Sequence, residues 1–502
     1  MSTTLRKRSR PDRRWLSALA ILALYLVSRL HNLDALPLFQ DESLYIDTAQ
    51  RVREGQFLNS AVTNGRLLHV WTNAVLGPYP PAVGWVTRAG MVIAGLAGLA
   101  GFYRLACSMV SPRAGWIGLL LWLAAPYLLL YERMALADTM FNITSVILVW
   151  VAWKLAQTGR RDVALGVGTA LFVTLLAKVT ALVWLPLPAV AALFVPRIGW
   201  RRRLVVAGLA YGAFALLAGP FWLVLRWKQY DYLGLSDSML GGVDRNLWDR
   251  TWQNIQLVWD IDVAYLGWPV ILLALLGGLF WLAQRPRSAL FTLLVLGMVT
   301  GGSLLFGRDV NSRRVLSHVP WVILPLVAGI TLLIERLPRW QPAIYAALVL
   351  WMAAFFAPFQ LAAWNDPPDL PLYGNDVREY VTGEASGYGV TRVGHYLRDL
   401  PDPLPTLGFV ANCLTLRYAA YPVEVACPKI AWDGTSQAQL MRQAESWAAE
   451  GPVYVVAEPL VYVDLAALPA PHTVILVADR PGSDQPVTLY RLDQGARRPE
   501  GE

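Results

Sequence analysis

Along most of this chain apolar residues come in long unbroken runs, not in the one-sided stripes of a water-soluble helix. Set against the roughly 20 residues needed to cross a bilayer, runs fall near 15–30, 84–107, 114–130, 139–157, 162–177, 179–195, 204–225, 264–283, 288–306, 315–334 and 341–359. The pattern predicts a polytopic α-helical membrane protein with about eleven transmembrane helices. Lys178 interrupts the stretch from 162 to 195 and Arg-rich segments flank it on both sides, so it reads as two crossings. Ser43 to Arg53 reads as a helix lying on the membrane surface, with Leu44, Ala49 and Val52 on one side. Gly65 to Gly77 reads as a second interfacial segment, too short to span.

After about Asn365 the pattern changes: charges and prolines appear and no further run is long enough to cross. Leu407–Ala411, Val453–Ala457 and Val474–Val477 read as short strands and Ser436–Glu450 as an amphipathic helix. The expected organisation is a transmembrane domain over 1–362, with outer loops at 31–83 and 227–263, followed by a small α/β domain over 363–502. Trp248, Trp252 and Trp259 in the second loop suit a membrane interface.

Composition agrees, with 56% hydrophobic and 16% charged residues among 502. The formal charge of +8 is a topology signal and not a sign of nucleic acid: Arg113, Arg160, Arg161, Arg201, Arg202, Arg203, Arg285 and Arg287 lie between apolar runs on one side. The basic residues from Arg6 to Arg14 then place the N-terminus in the cytoplasm. A signal peptide is the alternative for the first segment, but no small-x-small cleavage site precedes Leu33-Asp34. An odd number of crossings puts the C-terminal domain outside, in the extracytoplasmic space of a prokaryotic-type plasma membrane. Cys413 and Cys427 would lie there too, where a disulfide is permitted but cannot be assigned from sequence.

With that topology, chemistry-bearing residues collect at the outer face. Asp41 and Glu42 follow the first span, and Asp138 opens the fourth at the same depth. The bland readings are a solvated loop acid or a helix-start charge for Asp41, and an N-cap for Asp138. Lys178, one of only five lysines, sits on the outer side against the charge bias, where it either snorkels or has a use. Arg308, Arg313 and Arg314 form a second outer cluster. Guanidinium forks and an ammonium at headgroup depth suit a lipid phosphate. Neither a Walker A loop nor a Rossmann fingerprint occurs, so an activated sugar would have to arrive on a lipid carrier.

Leu38-Phe-Gln-Asp-Glu-Ser-Leu-Tyr-Ile-Asp-Thr-Ala49, the aromatic segment with His69 and Trp71, Thr87-Arg-Ala-Gly90, and Arg133-Met-Ala-Leu-Ala-Asp138 occur in order. Together they resemble the N-terminal half of the GT-C superfamily of integral membrane glycosyltransferases. The resemblance is to the family 39-type branch, which contains protein O-mannosyltransferases and lipid A aminoarabinose transferases. It covers roughly residues 15–225; the C-terminal half matches in architecture only. It implies inverting transfer of a hexosyl or pentosyl group from a polyprenyl-phosphate donor to a hydroxyl of a lipid, glycan or protein in the cell envelope. Asp41 would be the general base, Glu42 a neighbour orienting the acceptor or the loop, and Asp138 a second acid in the pocket. Lys178, Arg313 and Arg314 would hold the donor phosphate.

The chain departs from the pattern in one place. Where relatives often carry Lys-Pro-Pro it has Asn64-Gly65-Arg66-Leu67, with Arg66 in the lysine's place as a further phosphate ligand. Some members use a divalent metal, for which Asp41, Asp138 and His69 are the candidate ligands; a lone His on an aromatic helix is more often an interfacial residue. Two other functions stay open. A transporter or scramblase of lipid-linked glycans would also hold a phosphate, though it should place polar groups near the midplane. A non-catalytic relative would bind surface glycans through its C-terminal domain.

Overall fold

The computed structural model describes residues 14–58, 65–230, 247–307, 310–428, 436–459 and 472–493. Arg308 lies outside them. Each expected apolar run falls on helical residues, but length and apolarity together qualify six helices as spans among the described residues, and up to eight if each bent pair is one crossing. The expected eleven is therefore not matched by this measure. The runs at 15–30 and 179–193 form shorter apolar helices.

The bends have local causes. Pro126 opens the helix Pro126–Glu132, which turns 65° from Pro112–Ala124, because proline cannot supply the N–H that would continue the preceding helix. Gly267, at φ +81°, and Pro269 separate Leu247–Leu266 from Trp268–Gln284 across a 104° turn. The expected outer loop 227–263 thus contains, from Leu247 onward, a helix. Its Trp248, Trp252 and Trp259 are exposed on one side, while Asn254 on the other donates to the carbonyls of Leu304 and Gly307. At Lys178 the chain is extended, between Arg161–Ala177 and a 3-10 turn over Val179–Trp184.

Burial separates the spans. Ala137–Thr158 and Ser312–Arg336 are each 78% buried, whereas Trp200–Trp227 and Pro338–Asn365 are 11% and 17% buried and present apolar side chains outward, as lipid-facing helices do. The two most buried spans are the ones whose first turns carry Asp138 and Arg313. Close packing holds this centre together: a Cβ on Gly329 would lie 2.5 Å from the Cα of Gly277, so Trp268–Gln284 and Val319–Arg336 touch backbone to backbone.

Beyond the last span a five-stranded sheet forms in the order β2-β1-β3-β5-β4. Its strands are β1 (Thr406–Phe409), β2 (Val425–Ala426), β3 (Val453–Ala457), β4 (His472–Ala478) and β5 (Val487–Leu492). β1 pairs in parallel with β2 and β3, while β5 runs antiparallel to β3 and β4. The three expected strands and the helix Ser436–Glu450 are present. Cys413 and Cys427 are joined by a disulfide, and Cys107 is free.

Candidate active site

The helix Gln40–Arg53 starts with one half of a capping box: the Glu42 carboxylate accepts from the Phe39 N–H at 3.0 Å. Asp41 therefore sits in the first turn, where the helix dipole favours an acid. Of the three residues expected on its apolar side, Ala49 and Val52 are buried within the protein. Leu44 is exposed, while Ser43, Asp47 and Thr48 are buried, because the segment is clasped from the side of the C-terminal sheet. Asn412 donates to the carbonyls of Leu38 and Ala385, Gln40 donates to that of Ala411, and Asp47 pairs with Arg51 at 2.7 Å and Arg417 at 3.5 Å.

Glu42 faces inward. Its two oxygens meet the Arg88 guanidinium in a fork at 2.8 and 2.6 Å, and Oε1 also accepts from the Ala135 N–H at 2.7 Å. With both oxygens engaged and the side chain fully buried, Glu42 ties the Asp41 turn to the strap leading into Asp138. Arg88 in turn donates to the carbonyls of Leu33, Leu36 and Pro37. A buried arginine in an apolar helix requires such partners; that was the available signal for this pair, although the sequence does not say which acid answers it.

Asp138 is not an N-cap. Leu136 holds that position, and the Asp138 carboxylate, in the first helical turn, accepts from Lys178 Nζ. Lys178 does not snorkel to solvent, since it is buried against that acid. Arg313 Nη1 donates to Asp41 Oδ2 at 2.5 Å, its Nε lies 3.4 Å from Glu379 Oε2, and its guanidinium stacks 5.1 Å from the Phe39 ring. Arg66 donates to the Tyr45 hydroxyl and lies 5.0 Å over its ring. Arg314 follows on the same short turn, Ser312–Val315, its N–H capped by the Asn311 side chain.

Tyr45 marks where these pairs converge. Burial raises its hydroxyl above the usual tyrosine range, and Arg66, Asp41, Asp138 and Arg313 all act on it electrostatically. It lies four residues after Asp41, on the same helix face; that spacing was a readable signal for a residue the sequence reading passed over. Glu379, from the segment after the last span, has no local signal in the sequence.

His69 is buried edge-on to Tyr45 at 5.0 Å, with Nε2 3.2 Å from Asn73 Nδ2. Burial pushes its imidazole down to about 4. Among the described residues no group of three or more His, Cys, Asp or Glu is placed to hold a metal ion. Asp41, Asp138 and His69 each face a different neighbour, so they do not fit as one ligand set, and no step below is routed through a metal.

A second polar cluster backs Arg313. Ser312 Oγ and the Tyr265 hydroxyl both donate to Asp376; Tyr131 bonds Ser312 Oγ at 2.6 Å, and Tyr127 donates to the Ser312 carbonyl. Burial first, then the Glu379 charge, pushes Asp376 up to about 6 against the opposing hydrogen bonds.

These helices, capped by a mixed sheet, form a fold shared with several solved structures at 12–16% sequence identity. The chain is similar to ArnT from Cupriavidus metallidurans, solved bound to undecaprenyl phosphate, with a TM-score of 0.62 and 16% identity over 95% of this chain and 98% of that one. It is also similar to the apo oligosaccharyltransferase of Archaeoglobus fulgidus (TM-score 0.51, 12% identity, 89% of this chain and 70% of that one). The arabinofuranosyltransferase AftD from Mycobacteria gives 0.51 at 16% identity, over 98% of this chain and 41% of that longer one. No protein-family model matches the chain, and no curated protein does.

Proposed function

We propose that this integral membrane protein is a glycosyltransferase that moves a sugar from a polyprenyl-phosphate donor to an acceptor hydroxyl at the extracytoplasmic face. The observation that carries the reading is the pairing of Arg313 with Asp41, Lys178 with Asp138 and Arg66 with Tyr45, in a fold shared with a protein solved with undecaprenyl phosphate bound. The acceptor oxygen attacks the anomeric carbon and gives its proton to Asp41. The bond from that carbon to the phosphate oxygen breaks, and its electron pair leaves on the phosphate, where Arg313, Lys178 and Arg66 balance the growing charge. A single displacement of this kind inverts the anomeric centre. Asp138, held against Lys178, keeps that ammonium in place.

The clustering of charged groups near the helix starts, at one end of the central spans, favours an enzyme over a transporter, which would need polar groups deep in the bilayer. The test is release of polyprenyl phosphate from a panel of polyprenyl-phosphate sugars by the purified protein with membrane lipids present. Asp41→Asn should lower it by a hundredfold or more, given the usual weight of a general base. Turnover above roughly a tenth of wild type would remove Asp41 from that role.

The orientation belongs to the same reading, with the N-terminus cytoplasmic and both 31–83 and the segment after 365 outside. Ser43 is buried, so labelling belongs at the exposed positions 54 and 402. Cysteines placed there in a Cys107→Ala background should both react with an impermeant reagent in intact cells. Reaction at one but not the other would overturn the arrangement.

A further inference from the structure

Three of the cations offered to the donor phosphate already have an anionic or phenolic partner inside the protein: Arg313 has Asp41, Lys178 has Asp138, and Arg66 has Tyr45. We propose that Asp41 occupies the phosphate position on Arg313 until the donor arrives, so that the donor phosphate displaces the carboxylate and thereby frees it to act as base. This rests on the glycosyl-transfer reading above.

A carboxylate and a phosphate present a guanidinium with the same kind of acceptor, charged oxygens able to take up its N–H donors. A phosphodiester carries one negative charge, as Asp41 does, so the exchange leaves the charge around Arg313 unchanged. The two main pairs differ in access. The Asp41 and Arg313 side chains retain 26% and 17% of their exposure, against 5% and 9% for Asp138 and Lys178. A partly exposed pair is held less tightly than a buried one, so exchange begins at Arg313 while Lys178 waits with its partner.

Arg313 is also the fixed member of its pair. Phe39 stacks on it, Glu379 flanks it, and the preceding Ser312 is bonded by Tyr127, Tyr131 and Asp376. The backbone beneath Asp41 is equally held, through Glu42. What is left to move is the short Asp41 side chain, by a change of rotamer. While Asp41 Oδ2 accepts from Arg313 Nη1, that oxygen is engaged and not free to accept a proton from an acceptor hydroxyl. In the absence of donor, then, the base is masked, and binding is ordered with the donor first.

This arrangement makes an unusual prediction for Asp41→Asn, the variant expected to lose transfer. The amide pairs weakly with Arg313, so the variant should bind undecaprenyl monophosphate more tightly than wild type, by roughly tenfold for one charge-assisted partner released. Arg313→Gln should bind it more weakly. Affinities are measured on the full-length protein in detergent, with a melting curve for each variant. Asp41→Glu, which keeps the charge, should stay near wild type, and Asp41→Ala repeats the test should the amide variant not fold.

Unchanged or weaker binding by Asp41→Asn and Asp41→Ala, alongside weaker binding by Arg313→Gln, would overturn the masking while leaving the donor site in place. Unchanged binding by Arg313→Gln would instead overturn the placement of the donor phosphate on Arg313, and the masking with it.

Discussion

Glu42 and Arg88 meet fork to fork, with Nε to Oε1 at 2.8 Å and Nη2 to Oε2 at 2.6 Å, both side chains almost wholly out of solvent. The same carboxylate accepts from the backbone of Phe39, two residues before Asp41, and of Ala135, three residues before Asp138. One buried acid thus sets the spacing between the two acids of the site. Its role is to position and not to react.

Removing one member of such a pair leaves a buried charge without its partner. Glu42→Ala is therefore expected to cost about 3–5 kcal/mol, read as a large drop in melting temperature in detergent. Glu42→Ala with Arg88→Met should recover part of that loss, since no unpaired charge then remains. A single variant that melts with the wild type would refute the pairing as a stability element.

Asp376 gives the protein a predictable acid response. Its folded-state value is raised to about 6, chiefly by burial, above the ordinary carboxylate value it takes when unfolded. Below the ordinary value both states hold the proton and the stabilisation is fully present. As pH rises from the ordinary value to about 6, the unfolded chain releases the proton while the folded chain keeps it, so stability falls. Above 6 the loss levels off. A shift of this size corresponds to about 3 kcal/mol at most. Asp376→Asn should flatten that part of the profile, as measured by melting temperature between pH 4 and 7. An unaltered slope would show that another group is responsible.

Much of this was readable in the sequence because membranes make charges conspicuous. Asp41, Asp138, Lys178 and Arg313 stood out as ionisable residues at the ends of apolar runs, and they meet in pairs around one tyrosine. What could not be read was partner choice: whether a phosphate or a carboxylate faces each cation depends on packing among helices distant in sequence. Glu42 reads in the sequence as a neighbour orienting the acceptor or the loop, and a dipeptide does not say that its side chain turns inward onto Arg88. The strand β5 is legible in the sequence: Val487-Thr-Leu-Tyr490 alternates, with Val487 and Leu489 buried, before Leu492 closes the strand. β2, two residues long, exists because its neighbour offers an edge, and no local pattern announces it.

The disulfide offers a last test, because of what it braces. Cys413 opens the helix Cys413–Ala420, which reaches the site through three side chains: Thr415 donates to the Leu38 carbonyl at 3.3 Å, Arg417 meets Asp47 at 3.5 Å, and Tyr418 donates to Gln50 at 3.3 Å. Its partner Cys427 follows β2 directly, 14 residues along the chain. Closing a loop of that length stabilises a fold by about 3 kcal/mol through the entropy it takes from the unfolded chain. Opening it should therefore lower the melting temperature and also loosen the clasp on the Asp41 helix. The variant Cys413→Ser with Cys427→Ser is expected to melt lower and to turn over more slowly, with the loss of turnover already present well below the melting transition. The same substitution at Cys107, which is free, should affect neither. If the double variant loses stability but keeps full turnover at low temperature, the helix Cys413–Ala420 supports the fold without positioning Asp41, and the bonds from Asn412 and Gln40 are sufficient to hold that helix in place.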